Sequence, residues 1–280
     1  MPDAPQEPLF IDRVLDRIAH VGAPVCVGLD PVVDRLPDWA RGASDAERVS
    51  AFCRGVIDRT IEVAAAYKPQ SACFERLGSV GFRALEETVA HAGSAGVPVV
   101  YDAKRGDIGS TAQHYAAAAV SLGADAITIN AYMGPSTIEP YIEAGLGVFV
   151  LVRTSNADSG VVQSHELNGG GVVADTVATL TRELGEDCIG SHGSSDVGAV
   201  VGLTKAREAS HLRAIMPRQV FLVPGYGAQG GSAADLQPLL THDSMPGRGV
   251  LVNASRSVIY AEDAGEAARR MRDDLAAVIV

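Results

Sequence analysis

Val99-Val100-Tyr101-Asp102-Ala103-Lys104-Arg105-Gly106-Asp107-Ile108-Gly109-Ser110-Thr111 is the stretch on which the reading of this chain turns. It opens on β-branched and aromatic residues, which suit a strand. A charged turn punctuated by Gly106 and Gly109 follows, and from Ser110 the pattern becomes that of a helix, to residue 122. The unit is strand, loop, helix.

Moving outward, the same unit recurs. Short runs rich in Val, Ile, Leu and Ala at residues 24–30, 65–69, 97–104, 126–130, 147–154, 197–203, 220–225 and 249–254 predict eight strands. Their near-continuous apolar character is that of parallel strands covered on both faces. Amphipathic stretches at 45–66, 80–95, 110–122 and 170–184 lie between them, and 262–280 reads as a closing helix. Ser44 and Glu47 stand at the spacing of a capping box. A further helix over 9–20, within the segment 1–22, precedes the first strand and is expected to cover the barrel floor. Eight β-α units in 280 residues, with no Pro- or Ser-rich linker, predict one (β/α)8 TIM-barrel domain over 1–280. Two long loops, 155–170 and 227–243, follow strands 5 and 7, at the end where barrel active sites are built.

Composition narrows the function. Hydrophobic residues make up 47% and charged residues 20%, a globular balance with ample core. The net charge of −11 argues against a nucleic-acid binder. Any anionic ligand must be held by a few local cations and backbone amides. Cys26, Cys53, Cys73 and Cys188 show no zinc or redox spacing, which suits a reducing cytoplasm. The seven histidines form no H-x-H or H-E-x-x-H pattern, so no metal site is expected. Asp3 and Glu7, with no basic residue before Phe10, do not make a signal peptide. The longest apolar run, around 147–152, is too short to span a bilayer.

Several strand ends carry chemistry. Asp102 and Lys104 are two residues apart, so alternation puts them on one strand face, about 6–7 Å apart along the chain. A bare D-x-K is often an ordinary ion pair, but the extended D-x-K-x-x-D-I-G-x-T pattern is far rarer. Lys68 ends strand 2, beside strand 3, and Asp102 is its natural partner because an unpaired buried charge is costly; the alternative is a lysine reaching to solvent. Asp30, before Pro31, either accepts from a sugar hydroxyl or starts a turn. Pro224-Gly225-Tyr226-Gly227-Ala228-Gln229-Gly230-Gly231 and Asn253-Ala254-Ser255-Arg256-Ser257 follow strands 7 and 8, the usual phosphate-binding place in barrels. Glycines admit phosphate to backbone amides, and Arg256 adds a planar donor fork. Arg153-Thr154-Ser155-Asn156 either reads the polar edge of a base or caps the next loop.

Taken in order, G-L-D-P at 28–31, Y-K-P-Q at 67–70, D-A-K-R-G-D-I-G-S-T at 102–111, R-T-S-N at 153–156, P-G-Y-G-A-Q-G-G at 224–231 and S-R-S at 255–257 resemble the orotidine 5′-phosphate decarboxylase family, specifically its longer bacterial form. The resemblance covers nearly the whole chain. It implies conversion of orotidine 5′-monophosphate to UMP and CO₂ in pyrimidine biosynthesis, without metal or cofactor, by a cytoplasmic homodimer with its sites at the interface. It implies Lys104 as proton donor to C6 and Asp102 as the carboxylate beside the substrate carboxylate. Lys68 pairs with Asp102 and touches the ribose, and Asp107, with Thr111 nearby, enters the neighbouring subunit's site. Asp30 contacts the ribose, Ser155 the pyrimidine edge, and Gln229 and Arg256 the phosphate. Some relatives have Gly where this chain has Ser255, which bears only on loop shape. Two rivals remain on the same barrel: a magnesium-dependent hexulose-phosphate synthase-like aldolase, which shares the D-x-K-x-x-D core, and a non-catalytic nucleotide-binding barrel.

Overall fold

The eight β-rich runs become eight parallel strands of one (β/α)8 barrel. They are β1 (Val25–Leu29), β2 (Ala66–Pro69), β3 (Val100–Arg105), β4 (Ala126–Ile129), β5 (Gly147–Arg153), β6 (Ser195–Val201), β7 (Gln219–Pro224) and β8 (Val250–Ala254). The computed structural model describes residues 8–208, 210–227, 230–241 and 245–279. Around the barrel run α1 (Phe10–Val21), α2 (Asp45–Thr60), α3 (Ser71–Glu75), α4 (Ser79–Ser94), α5 (Gly109–Leu122), α6 (Glu139–Glu143), α7 (Gly160–Gln163), α8 (Val173–Leu184), α9 (Leu212–Ile215), α10 (Arg256–Ile259) and α11 (Ala264–Ile279).

Strands hydrogen-bond in the order β2-β1-β8-β7-β6-β5-β4-β3. The remaining seam, β2 to β3, is closed by single parallel bridges, Tyr67–Val99 and Gln70–Asp102. Two apolar layers hold the barrel. Outward-facing Val25, Val27 and Leu29 pack with Phe52, Val56 and Ile57 of α2 and Leu85 of α4. Inward-facing Cys26, Ala66, Val100, Ala126, Phe149 and Leu251 pack with Phe10, Ile11, Val14, Leu15 and Ile18 of α1. Burying each Leu, Ile or Phe of this kind stabilises by about 1.5–3 kcal/mol.

α1 lies across the N-terminal ends of the strands. Phe10 meets Phe149 edge to face at 5.9 Å, and a Cβ at Gly147, the first residue of β5, would stand 2.3 Å from the Phe10 ring. Polar contacts fix the helix start: Ile11 N–H donates to Asp196 Oδ1 at 2.7 Å, and the Asp12 carboxylate accepts from Ser191 N–H at 2.9 Å and His192 N–H at 3.2 Å. Of the expected floor segment 1–22, residues 1–7 lie outside the described residues.

Some boundaries differ from expectation, for local reasons. The helix expected over 45–66 stops at Thr60, whose carbonyl accepts from Val63 and Ala64 N–H and turns the chain into β2. The helix expected from 170 starts at Val173, because Gly170 and Gly171 take φ of +89° and +77°, outside the right-handed helical region. Ser44 Oγ accepts from Glu47 N–H at 3.3 Å, but Glu47 reaches back to Ala43 N–H at 2.8 Å, one residue short of the reciprocal capping box. The 155–170 loop contains α7, and 227–243 contains a 3-10 helix, Ala233–Leu239. Among the described residues no helix is long and apolar enough to cross a membrane.

Candidate active site

Alternation along each strand turns every second side chain inward. The first inward layer, with α1, fills the floor. The next layer, Lys68, Asp102, Thr128, Leu151, Val200, Leu222 and Asn253, lines a cleft of about 670 Å³ at the C-terminal ends of the strands. Asp30, Thr154, Ser155, Gly225 and Arg256 also line it. The cleft is two-faced. β2, β3 and β4 contribute charged and hydroxyl groups, while β5, β6 and β7 contribute the apolar side chains of Leu151, Val200 and Leu222. That arrangement suits a flat polar ring with one reacting edge toward the charges.

Asp102 is the centre of the polar side. Its Oδ2 accepts from Lys68 Nζ at 2.6 Å and Gln70 Nε2 at 3.1 Å. Its Oδ1 accepts from Lys104 Nζ at 2.5 Å and Thr128 Oγ1 at 3.0 Å. Burial raises the Asp102 pKa, but the Lys68 and Lys104 ammonium groups overcome it and hold the carboxyl well below the usual carboxylate range. Burial likewise works against the Lys68 charge, yet the Asp102 and Asp30 carboxylates push its pKa above the ordinary lysine value. The two shifts agree: this is an ionised pair at neutral pH.

Lys104 meets Asp102 at the cleft as expected, but through an irregular backbone that alternation does not describe. The β3–β4 register shifts between Tyr101 and Arg105, and Lys104 adopts φ of +46°. A left-handed backbone at a residue with a Cβ costs about 1–2 kcal/mol. Lys104 N–H donates to Thr128 Oγ1 at 2.9 Å. The irregularity aims the ammonium at the cleft, as strand bulges beside active sites do. Lys68 is buried, whereas the Lys104 side chain is 46% exposed. Both lysines line the cleft, and Lys104 is the more open of the two.

The other residues singled out by sequence fall as follows. Asp30 lines the cleft with its Oδ1 buried and unpartnered, an acceptor awaiting a donor. Ser155 lines the opposite side, its backbone packed so closely on Gly202 that a Cβ there would stand 2.8 Å away. Arg256 is exposed and has no ion-pair partner among the described residues. The turn after β7 needs its glycines: Gly225, Gly227 and Gly230 take φ of +111°, +71° and +86°. Gln229 lies outside the described residues. Asp107 accepts from the following Ile108 N–H at 2.8 Å. Neither Asp107 nor Thr111 lines the cleft of its own chain.

Sequence reasoning missed Thr128, Gln70 as an Asp102 ligand, and the apolar wall. The inward parity that places Asp102 would have found Thr128, Leu151, Val200 and Leu222, applied strand by strand. Arg153 was read only as part of a polar run. It is buried, donating to Ser159 Oγ at 2.7 Å, Gln163 Oε1 at 3.1 Å and Glu208 Oε2 at 2.8 Å. It ties the loop after β5 to the segment after β6. Among the described residues no group of three or more His, Cys, Asp or Glu is placed to hold a metal ion.

Fold and cleft together define a (β/α)8-barrel enzyme whose reacting groups stand on the carboxyl ends of its strands. The family model described as "Orotidine 5'-phosphate decarboxylase / HUMPS family" matches residues 23–271. The chain belongs to that family. It is 45% identical over 269 residues to the orotidine 5′-phosphate decarboxylase of Haloarcula marismortui, covering 95% of this chain and 91% of the relative. With that of Rhodopirellula baltica it shares 38% identity, over 90% of this chain and 88% of the relative. The solved structure of Leishmania donovani OMP decarboxylase superposes with a TM-score of 0.82 at 35% identity, covering 96% of this chain and 98% of that one.

Proposed function

We propose that this chain decarboxylates orotidine 5′-monophosphate to UMP, with Lys104 as the acid. The observation that carries the reading is the Lys68–Asp102–Lys104 chain on one side of the cleft facing an apolar wall, with Lys104 the more exposed of the two lysines. In the reaction the bond from C6 to the carboxylate breaks, CO₂ leaves, and the electron pair stays on C6. That pair lies in the ring plane, outside the π system, so the ring offers no sink for it. The barrier must fall through preorganised charge. Lys104 Nζ–H stabilises the carbanion and gives it a proton, and the amine is reprotonated from solvent. Asp102, already ionised, disfavours the substrate carboxylate beside it, a secondary contribution. The acceleration needed approaches the top of the enzymatic range, roughly 20 kcal/mol. Remote binding must therefore be converted into positioning.

In this reading Lys68 and Asp30 take the ribose hydroxyls, and Ser155 takes the pyrimidine edge. Gln229 and Arg256 take the phosphate. Asp107 and Thr111 complete the site of a second copy of the chain, which makes the enzyme a homodimer. α1 serves as the floor of a single barrel domain, in the longer form of the family. All four cysteines are free thiols, which suits a reducing cytoplasm.

The test is direct. Purified protein incubated with orotidine 5′-monophosphate and EDTA should lose substrate absorbance and form UMP. Activity that vanishes under chelation and returns with Mg²⁺ would favour the aldolase-like rival. Binding of the nucleotide without turnover would favour a binding barrel.

A further inference from the structure

The geometry points to Thr128 as a positioning residue that sets both the orientation of Asp102 and the left-handed backbone of Lys104. This rests on the decarboxylase reading. Thr128 sits on β4, 1% exposed, in the inward layer beside β3. Its hydroxyl has two partners of opposite kind. Lys104 N–H donates to Oγ1 at 2.9 Å, and Oγ1 lies 3.0 Å from Asp102 Oδ1.

The direction of the second bond is fixed by chemistry. An ionised carboxylate has no proton to give, so the threonine hydrogen must point to Asp102. The lone pairs then face the Lys104 amide. One hydroxyl therefore stitches together the carboxylate, the backbone from which the ammonium springs, and the neighbouring strand.

The need for such a stitch arises from β3 itself. The regular ladder to β4 is interrupted between Tyr101 and Arg105. Lys104, at φ of +46°, offers its N–H to a side chain instead of a strand carbonyl. Without Thr128 Oγ1 that donor loses its partner, and the left-handed turn is held from the β4 side only where the ladder resumes at Arg105, whose carbonyl accepts from Asn130 N–H at 2.7 Å. Asp102 Oδ1 would then be left to Lys104 Nζ alone, free to rotate toward the Lys68 and Gln70 side. The effect would be a misaimed ammonium, with the cleft walls unchanged.

The experiment compares Thr128→Val, which keeps the shape and removes the hydroxyl, with Thr128→Ser, which keeps the hydroxyl. Steady-state decarboxylation and UMP binding are measured for both and for wild type. Thr128→Val should lose about ten- to hundredfold in kcat, the scale of a small misplacement of a reacting group. Its KM and its Kd for UMP should stay within about threefold, because the deleted contact holds no substrate atom. Thr128→Ser should keep kcat within about threefold. The inference is overturned if Thr128→Val keeps kcat within about twofold, if serine loses as much as valine, or if the loss lies in KM alone. Should Thr128→Val fail to bind UMP, Thr128→Ala takes its place against serine under the same criteria. An inactive wild type overturns the decarboxylase reading and this inference with it. An active wild type beside an unimpaired Thr128→Val overturns this inference alone.

Discussion

Lys68 Nζ donates to Asp102 Oδ2 at 2.6 Å across the one seam of the barrel that no continuous strand ladder closes. The two side chains are 6% and 8% exposed, so solvent screens the pair little. Their dependence on each other is unequal. Asp102 without Lys68 still has Gln70, Lys104 and Thr128 as donors. Lys68 without Asp102 is a buried ammonium whose remaining nearby carboxylate is Asp30. Asp102→Leu should therefore lower the unfolding free energy by about 3–5 kcal/mol, the cost of stranding a buried charge. Lys68→Met should cost distinctly less, about 1–3 kcal/mol. Denaturant titrations of both variants check this, and an equal or reversed order would mean that the seam is held by something other than the pair.

Lys104 is the second subject. If it supplies the proton, Lys104→Ala should cost at least a thousandfold in kcat, by the scale of charge preorganisation and proton transfer combined (~10³ or more). UMP should still bind measurably, because the residues proposed for the ribose and phosphate are untouched. A variant keeping a tenth of wild-type kcat would show that another group protonates C6.

Asp107 leads to an assembly experiment. It stands on the loop beyond β3, half-buried, and does not line the cleft of its own chain. If it serves a second copy, mixing inactive Lys104→Ala and inactive Asp107→Ala chains should restore activity, approaching about a quarter of wild type at full exchange. One site of each hybrid dimer then carries both defects and the other carries neither. Hybrids shown to form but remaining inactive would mean that each site is built from one chain.

How much of this was legible in the sequence depends on what each feature rests on. The barrel was, because parallel strands covered on both faces read as apolar runs, and eight of them leave little topological choice. Lys68, Asp102 and Lys104 were, because charges at the ends of such runs need partners. The left-handed Lys104 was not: nothing in Asp102-Ala103-Lys104 signals a register shift, which depends on where Thr128 of the next strand falls. Arg153 was not, since its partners Ser159, Gln163 and Glu208 become neighbours only when the loops after β5 and β6 meet. Local pattern carries strand identity, and contacts between strands set the last ångström of the site.

Asp196 makes a prediction at the opposite end of the barrel. Burial raises its pKa to about 6, against the opposing hydrogen bond from Ile11 N–H. An unfolded aspartate titrates near 3.9, so between about pH 6 and pH 4 the folded chain binds the extra proton. Stability then rises as pH falls through that window, the reverse of the usual carboxylate. Lowering the pH from about 7.5 to about 5 should raise this group's contribution by about 1–2 kcal/mol. Asp196→Asn, which keeps an acceptor for Ile11, should be more stable than wild type at neutral pH and flatter in its pH dependence. Thermal melts across the range test this, and an Asp196→Asn curve parallel to wild type would remove the assignment.

Arg256 bears on the phosphate. It follows β8 at the start of α10, exposed on the rim of the cleft, beside the glycine turn Gly225 to Gly231 that closes through Gly227 N–H to Gly231 O at 2.9 Å. With no ion-pair partner among the described residues, its guanidinium is available for a bidentate contact with an anion. Arg256→Ala should then cost about 2–4 kcal/mol in kcat/KM for orotidine 5′-monophosphate. Most of that should appear in KM, and some in kcat if phosphate binding also drives closure of the loops over the cleft. Orotidine, which lacks the phosphate, separates this from a structural role. Wild type and Arg256→Ala should process orotidine almost equally slowly, because the deleted side chain has no partner there. A substitution that impairs both substrates by the same factor would mean that Arg256 supports the barrel or acts on the ring, and the phosphate would have to be sought elsewhere on the rim.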